Sequence, residues 1–151
     1  MLDDPGEPST GEPRLPVDDL EAWILAAFAA GRRVLEIGTG LGVSTRALAA
    51  SAAEVYTVDI DPWVHGEIWP HLPANVRCFA SLPPGEFDAI FIDGDHSPEA
   101  VERDIATARM VAAPGAVILA HDTNAPNVWK HLGAGDWRLI PTLYGIGVLW
   151  C

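Results

Sequence analysis

The sequence predicts a doubly wound α/β fold on a mostly parallel sheet, from three observations. Five apolar runs of strand length alternate with helical or irregular segments, the pattern of a parallel sheet covered on both faces. The first run, in "VLEIGTGLGVST", passes straight into glycines that open a helix, and the carboxyl ends of such strands are where α/β sheets bind ligands. Near the C-terminus "WRLIP" and "GIGVLWC" flank "TLYG", an antiparallel hairpin that turns the last strand against the others. Five strands and the hairpin make a sheet of seven.

Length and composition agree with one domain: 151 residues with 49% apolar content support a real core. Nine basic residues against 21 acidic ones give a formal charge of −12. Such a surface repels phosphate backbones and anionic bilayers, so neither nucleic acid nor membrane is an expected partner. Cys78 and Cys151 lack ligand or redox spacing, and no apolar run approaches the length of a membrane span. With no secretory pattern at the N-terminus, the chain is read as cytoplasmic.

Residues 1–16, "MLDDPGEPSTGEPRLP", are read as a disordered leader, since four prolines and several acids leave little apolar surface to offset ordering. The domain is assigned to 17–151. Leu20, Trp23, Ile24, Ala27 and Phe28 fall at helical spacing, with Asp18 or Asp19 as cap and Gly31 as stop. Parallel strands are expected at 33–37, 55–59, 76–79, 87–92 and 116–120. Pro70 and Pro73 restrict "DPWVHGEIWPHLP" to one short helix or a loop. After "FIDGDH", Ser97 can cap a helix with Pro98 at its first position; Val101, Ile105, Ala108 and Ala112 keep one apolar face until Pro114-Gly115 ends it. Trp23 and Trp150 fall on core-facing patterns. Trp63 could lie beside a ligand, while Trp69, Trp129 and Trp137 are unplaced, and His65, His71 and His131 receive no role.

The glycine loop is the first candidate site. Gly38, Gly40 and Gly42 are spaced G-x-G-x-G, with Glu36 two residues before the first, whereas a dinucleotide fingerprint needs G-x-G-x-x-G. The spacing disfavours NAD. "VYTVDID" ends the second strand in Asp59, 23 residues beyond Glu36. The third strand runs into "CFAS" and the fourth is "FDAIFIDG". The competing reading is tight turns and solvated strand ends with no ligand.

These motifs together resemble the class I S-adenosylmethionine-dependent methyltransferases over essentially the whole chain from Asp18 to Trp150. The resemblance implies the Rossmann-like seven-stranded fold with an antiparallel last strand. It implies a donor site formed by Glu36, Gly38, Thr39, Gly40, Gly42, Asp59, Ile60, Ser81 and Asp93. "DGDH", a capped helix and then "ILAHDTN" are similar to the O-methyltransferases of catechol and macrolide-sugar type, several of which use a divalent metal. By that resemblance Asp93 and Asp122 are metal ligands for Mg²⁺ or Mn²⁺, hard ions suited to oxygen donors, and His96 and Asp93 are catalytic.

The chemistry gives these roles a reason. Methyl transfer from a sulfonium is an in-line displacement, so an enzyme mainly aligns the partners and deprotonates a reluctant hydroxyl. An imidazole titrating near neutrality, His96, suits that base, and a metal would acidify the hydroxyl. The chain departs from the pattern at His121-Asp122-Thr123, with Asn124 one place late, which leaves the third ligand open. Asp95 is read as a turn cap, and a structural role as turn and cap residues competes for Asp93, His96 and Asp122.

The expected function is methyl transfer from S-adenosylmethionine to a small-molecule acceptor, through oxygen. The alternative is a non-catalytic S-adenosylmethionine-binding module, regulatory or structural. The apolar "GIGVLW" admits two readings, a homodimer through the edge hairpin or packing within the chain.

Overall fold

The computed structural model describes residues 17–151; the leader expected at 1–16 lies outside the described residues. The order is α1 (Asp19–Ala29), β1 (Arg33–Ile37), α2 (Val43–Ala49), β2 (Glu54–Val58), α3 (Pro62–Glu67), a 3₁₀ turn (Trp69–His71), β3 (Val76–Phe79), β4 (Phe87–Ile92), α4 (Pro98–Val111), β5 (Ala112–Ala120), α5 (Pro126–His131), β6 (Arg138–Ile140) and β7 (Ile146–Trp150). The seven strands lie in the order β3-β2-β1-β4-β5-β7-β6. β3, β2, β1, β4 and β5 are parallel, and β7 runs antiparallel to both β5 and β6. The expected fold class is the one observed.

Strand periodicity divides the core in two. In β4, Ile90 and Ile92 point to the face covered by Val101, Ile105 and Ala108 of α4, with Val128 of α5. Ala89 and Phe91 point to the other face, towards Leu25 and Ala29 of α1 and Leu48 of α2. Alternate residues therefore serve opposite layers, and each large apolar side chain so buried contributes roughly 1.5 to 3 kcal/mol. Within the run "GIGVLW", residues 146–149 are buried in β7, which lies between β5 and β6, while Trp150 is exposed. Among the described residues no helix is long and apolar enough to cross a membrane.

Three local expectations are corrected. Helix α4 stops at Val111, and Ala112 already belongs to β5, where it pairs with Phe87 ahead of a register shift. The connection at Pro114-Gly115 thus lies in the strand, three residues beyond the helix end, because Ala112 takes extended dihedrals at the helix C-cap. Ser97 holds the N-cap position, but its hydroxyl donates to Asp95 Oδ2 (2.9 Å) and makes no cap bond to the helix. Trp23 and Trp150 are 80% and 56% exposed, not core residues. The buried line of α1 is instead Glu21, Leu25 and Ala29. The helix is turned so that Glu21 faces inward with Leu25 and Ala29 while Leu20 and Trp23 face out; the partners of that carboxylate are described below.

Candidate functional site

The strand ends set the site residues side by side. Beyond the last paired residues the ladder continues: Asp59 N donates to the Phe79 carbonyl, Gly38 N to Val58, Asp93 N to Ile37 and His121 N to Ile92, at 2.8 to 3.2 Å. Asp59, Gly38, Asp93 and His121 therefore stand in one row across the carboxyl edge of the sheet.

At the β1 end, Glu36 is fully buried and accepts hydrogen bonds from Ser44, Thr45 and Thr57 hydroxyls, each at 2.6 Å. Burial pushes its carboxyl up to about 7, although the three hydroxyls pull the other way. Glu36 thus braces the start of α2 and the end of β2 from inside, with both oxygens engaged. Thr57 spends its only proton on Glu36, so Thr39 Oγ1 donates to Thr57 Oγ1 at 2.6 Å, and Trp69 Nε1 donates to Thr39 at 3.4 Å.

The pH consequence follows from the sign of that shift. The native carboxyl holds its proton up to about 7, the unfolded one only to its ordinary value of 4.5, so stability falls as pH rises through this window, by roughly 3 kcal/mol in all. Glu36→Gln is expected to flatten that slope. Urea unfolding of both proteins at about pH 5 and about pH 8 measures it; equal slopes would reject the buried, proton-holding state.

The loop itself is an array of donors held open. Thr39 N and Gly40 N both donate to Asp59 Oδ2 at 3.0 Å, and Asp61 N donates to Asp59 Oδ1. Gly38 has φ 97°, and a Cβ there would lie 2.3 Å from the Asp93 carbonyl oxygen, so no side chain fits between the β1 and β4 ends. Gly40 also has positive φ, but a Cβ there meets nothing within 4 Å: open space lies over the loop. His65, given no role from the sequence, donates through Nε2 to the Asp59 carbonyl (2.7 Å) and stacks on Trp69 at 3.9 Å. Trp69, not Trp63, is the tryptophan hydrogen-bonded to the loop. Ile60 is 85% exposed at its rim, and Ser81 is exposed two residues past β3.

The acidic cluster lies at the ends of β4 and β5. One ligand atom each from Asp93, His96 and Asp122 lies within 4.8 Å of the others. His96 Nε2 is 3.0 Å from Asp122 Oδ2. Asp95 accepts from Ser97 N at 3.3 Å as well as from its hydroxyl, the turn cap expected of it. Asn124 does not join the cluster: its amide nitrogen donates to the Leu143 and Thr142 carbonyls of the β6–β7 turn. Asp122 has φ 57°, a left-handed conformation that is uncommon outside glycine and stores strain.

Sequence reasoning missed the groups behind this cluster. His121 is fully buried; its Nδ1 lies 2.9 Å from Asp122 Oδ2 and 3.2 Å from Asp93 Oδ1, and its Nε2 lies 2.9 Å from Glu21 Oε2. Burial opposes charge on the ring, yet the hydrogen bonds and charges of Asp122 and Asp93 outweigh it and push the imidazole up to about 11. The same contacts, with His96, hold the Asp122 carboxyl well below the usual carboxylate range against its own burial. The only sequence signal was an imidazole at the end of a buried strand beside an acid.

A family model described as "Methyltransferase domain" matches residues 35–123. Among solved structures, the cofactor-bound Rv0187 protein from MTB is 27% identical, with 91% of this chain and 82% of that chain covered and a TM-score of 0.75. An O-methyltransferase from Bacillus cereus in complex with SAH is 21% identical, covering 92% and 84%, at a TM-score of 0.74. The O-methyltransferase TomG from Streptomyces achromogenes, involved in tomaymycin synthesis and in complex with SAM, is 19% identical, covering 91% and 82%, at 0.72. No curated protein matches.

Proposed function

The chain belongs to the methyltransferase-domain family and has the class I, Rossmann-like methyltransferase fold, and from that premise we propose that it transfers a methyl group from S-adenosylmethionine to a hydroxyl oxygen of a small molecule. One observation carries the reading: a glycine loop with open space above Gly40 and a carboxylate at Asp59 shares a single sheet edge with the Asp93–His96–Asp122 cluster. The residues present fit the donor. Asp59, already accepting two loop N–H groups, is the acceptor for ribose hydroxyls, and Gly38, Gly40 and Gly42 let the backbone approach. Glu36 and Thr39 act from inside by holding the loop's shape, while Ile60 and Ser81 edge the adenine side.

On the acceptor side His96 is the base. Asp122 faces its Nε2 at 3.0 Å, which fixes the ring that takes the hydroxyl proton. Asp93, beside Gly38, orients the hydroxyl between donor and base. A second reading is favoured by the convergence of the three ligand atoms: two carboxylates and an imidazole fit Mg²⁺ or Mn²⁺, and such an ion, when bound, acidifies the hydroxyl. His96 Nε2 cannot both hold an ion and keep its proton for Asp122, so the two readings differ experimentally.

Calorimetric titration with S-adenosylmethionine and with its demethylated product is expected to show micromolar binding of both. Transfer of labelled methyl to phenolic and sugar hydroxyls, with and without chelator, then decides the rest. Activity indifferent to chelation leaves His96 as base without metal; activity lost on chelation and restored by Mg²⁺ or Mn²⁺ selects the second reading. Binding without transfer to any acceptor would reduce the chain to a binding module, and no binding of either molecule would overturn the proposal.

A further inference from the structure

Helix α1 buries a carboxylate on its core face. Leu20 and Trp23 are 57% and 80% exposed while Glu21, between them, is fully buried. The same face buries Leu25 and Ala29, and taking a carboxylate out of water beside them costs several kcal/mol unless it is well partnered. Glu21 is turned inward one helical turn before Leu25, and its burial has to be offset by partners.

Its partners come from three parts of the chain, the nearest being its own helix cap, where Asp18 N donates to Oε2 at 3.4 Å. Oε1 accepts from the Thr142 hydroxyl at 2.5 Å and from Tyr144 N at 3.3 Å, both in the β6–β7 turn. Oε2 faces His121 Nε2 at 2.9 Å. On the far side of the ring, Nδ1 faces Asp122 Oδ2 and Asp93 Oδ1. Carboxylates only accept, so each ring nitrogen carries a hydrogen. The ring is wedged between Phe91 and Tyr144, with centroids 5.9 and 5.8 Å away. Asp122, at the end of this line, is the residue with the strained backbone, and it also bears on His96.

We propose that Glu21 is a positioning residue for the acceptor site: Glu21 and His121 form a buried strut, anchored on α1 and the β6–β7 turn, that fixes the carboxylates of Asp93 and Asp122 and through Asp122 the ring of His96. The proposal rests on the reading of that cluster as the acceptor side. The strut replaces the loose solvation of two strand-end acids by a rigid donor aimed at both, so that neither is free to swing away when an acceptor arrives.

The test uses the full chain with Glu21→Ala, Glu21→Gln, Thr142→Val and Asp18→Ala. The last removes the reciprocal N-cap partner of Glu21 and controls for loss of the helix cap alone. Each protein is compared by imidazole ¹H–¹³C spectra at one fixed pH, by SAH titration and by methyl-transfer kinetics. For Glu21→Ala the expected result is a displaced His96 signal, kcat lower by about 10- to 100-fold, and unchanged SAH affinity. Glu21→Gln, which keeps an acceptor for Nε2–H, recovers most of both, and Asp18→Ala moves neither. A lower melting temperature with His96 and kcat as in the wild type would overturn the proposal. Should the alanine variant not fold, Thr142→Val, which removes one anchor of Glu21 Oε1 at nearly constant volume, takes its place: a displaced His96 signal is expected, and an unmoved one with wild-type kcat overturns the proposal. If transfer itself proves independent of Asp93 and His96, the acceptor-site reading fails, and the His96 signal still reports whether the strut exists.

Discussion

Gly38→Ala is expected to abolish donor binding and to destabilise the fold. The new Cβ would sit 2.3 Å from the Asp93 carbonyl oxygen and 2.8 Å from its carbon, both backbone atoms that no rotamer change can clear. Left-handed backbone for an alanine costs about 1 to 2 kcal/mol, and forcing atoms into a packed site about 1 to 3 more. Against a typical domain stability of about 5 to 15 kcal/mol this is a large share. Relief requires β1 and β4 to part at their carboxyl ends, where the loop and Asp93 meet. Gly40→Ala is the matched control: its φ is also positive, but its Cβ meets nothing within 4 Å, so only the backbone cost of about 1 to 2 kcal/mol remains. Thermal melts and SAH titration of the two variants check this; equal losses would mean that the close contact at Gly38 has no special weight.

His96→Ala is expected to lower methyl transfer by about 100- to 10,000-fold, the range of a general base, with SAH affinity unchanged. The separation is expected because the donor loop is held from its own side, by Thr39 N and Gly40 N on Asp59 and by Ser44 on Glu36. Asp122 would remain held by His121 at 2.9 Å, so the variant tests the base without collapsing its neighbours. Single-turnover transfer from labelled donor measures it, and retained turnover would remove His96 from the chemistry.

The fold was legible because its signals are local. The strands at 33–37, 76–79 and 87–92 begin and end as their apolar runs do, and the turn at Asp95 is read from residues two apart. The face of α1 was not legible, since Glu21 is drawn inward by His121 and Thr142, 100 and 121 residues away, and periodicity sees only neighbours. For the same reason His121 passed as a departure from a pattern. Asp122's left-handed backbone has no sequence mark, because the residue is not glycine. Helix α5 had one, Pro126 at its first position, but six residues are too few for a periodic face. Trp69 reaches Thr39 only once the 3₁₀ turn folds back over the glycine loop, a geometry that two nearby prolines obscure.

The two margins of the sheet bear on how the molecule behaves in a crowd. β3 and β6 are four and three residues long, and each carries an exposed arginine, Arg77 and Arg138. Short, charged margins offer few free backbone groups for strand addition by another chain. The apolar hairpin strand most prone to such growth, β7, sits one place inward, shielded by β6. Aggregation by sheet extension is therefore discouraged at both ends.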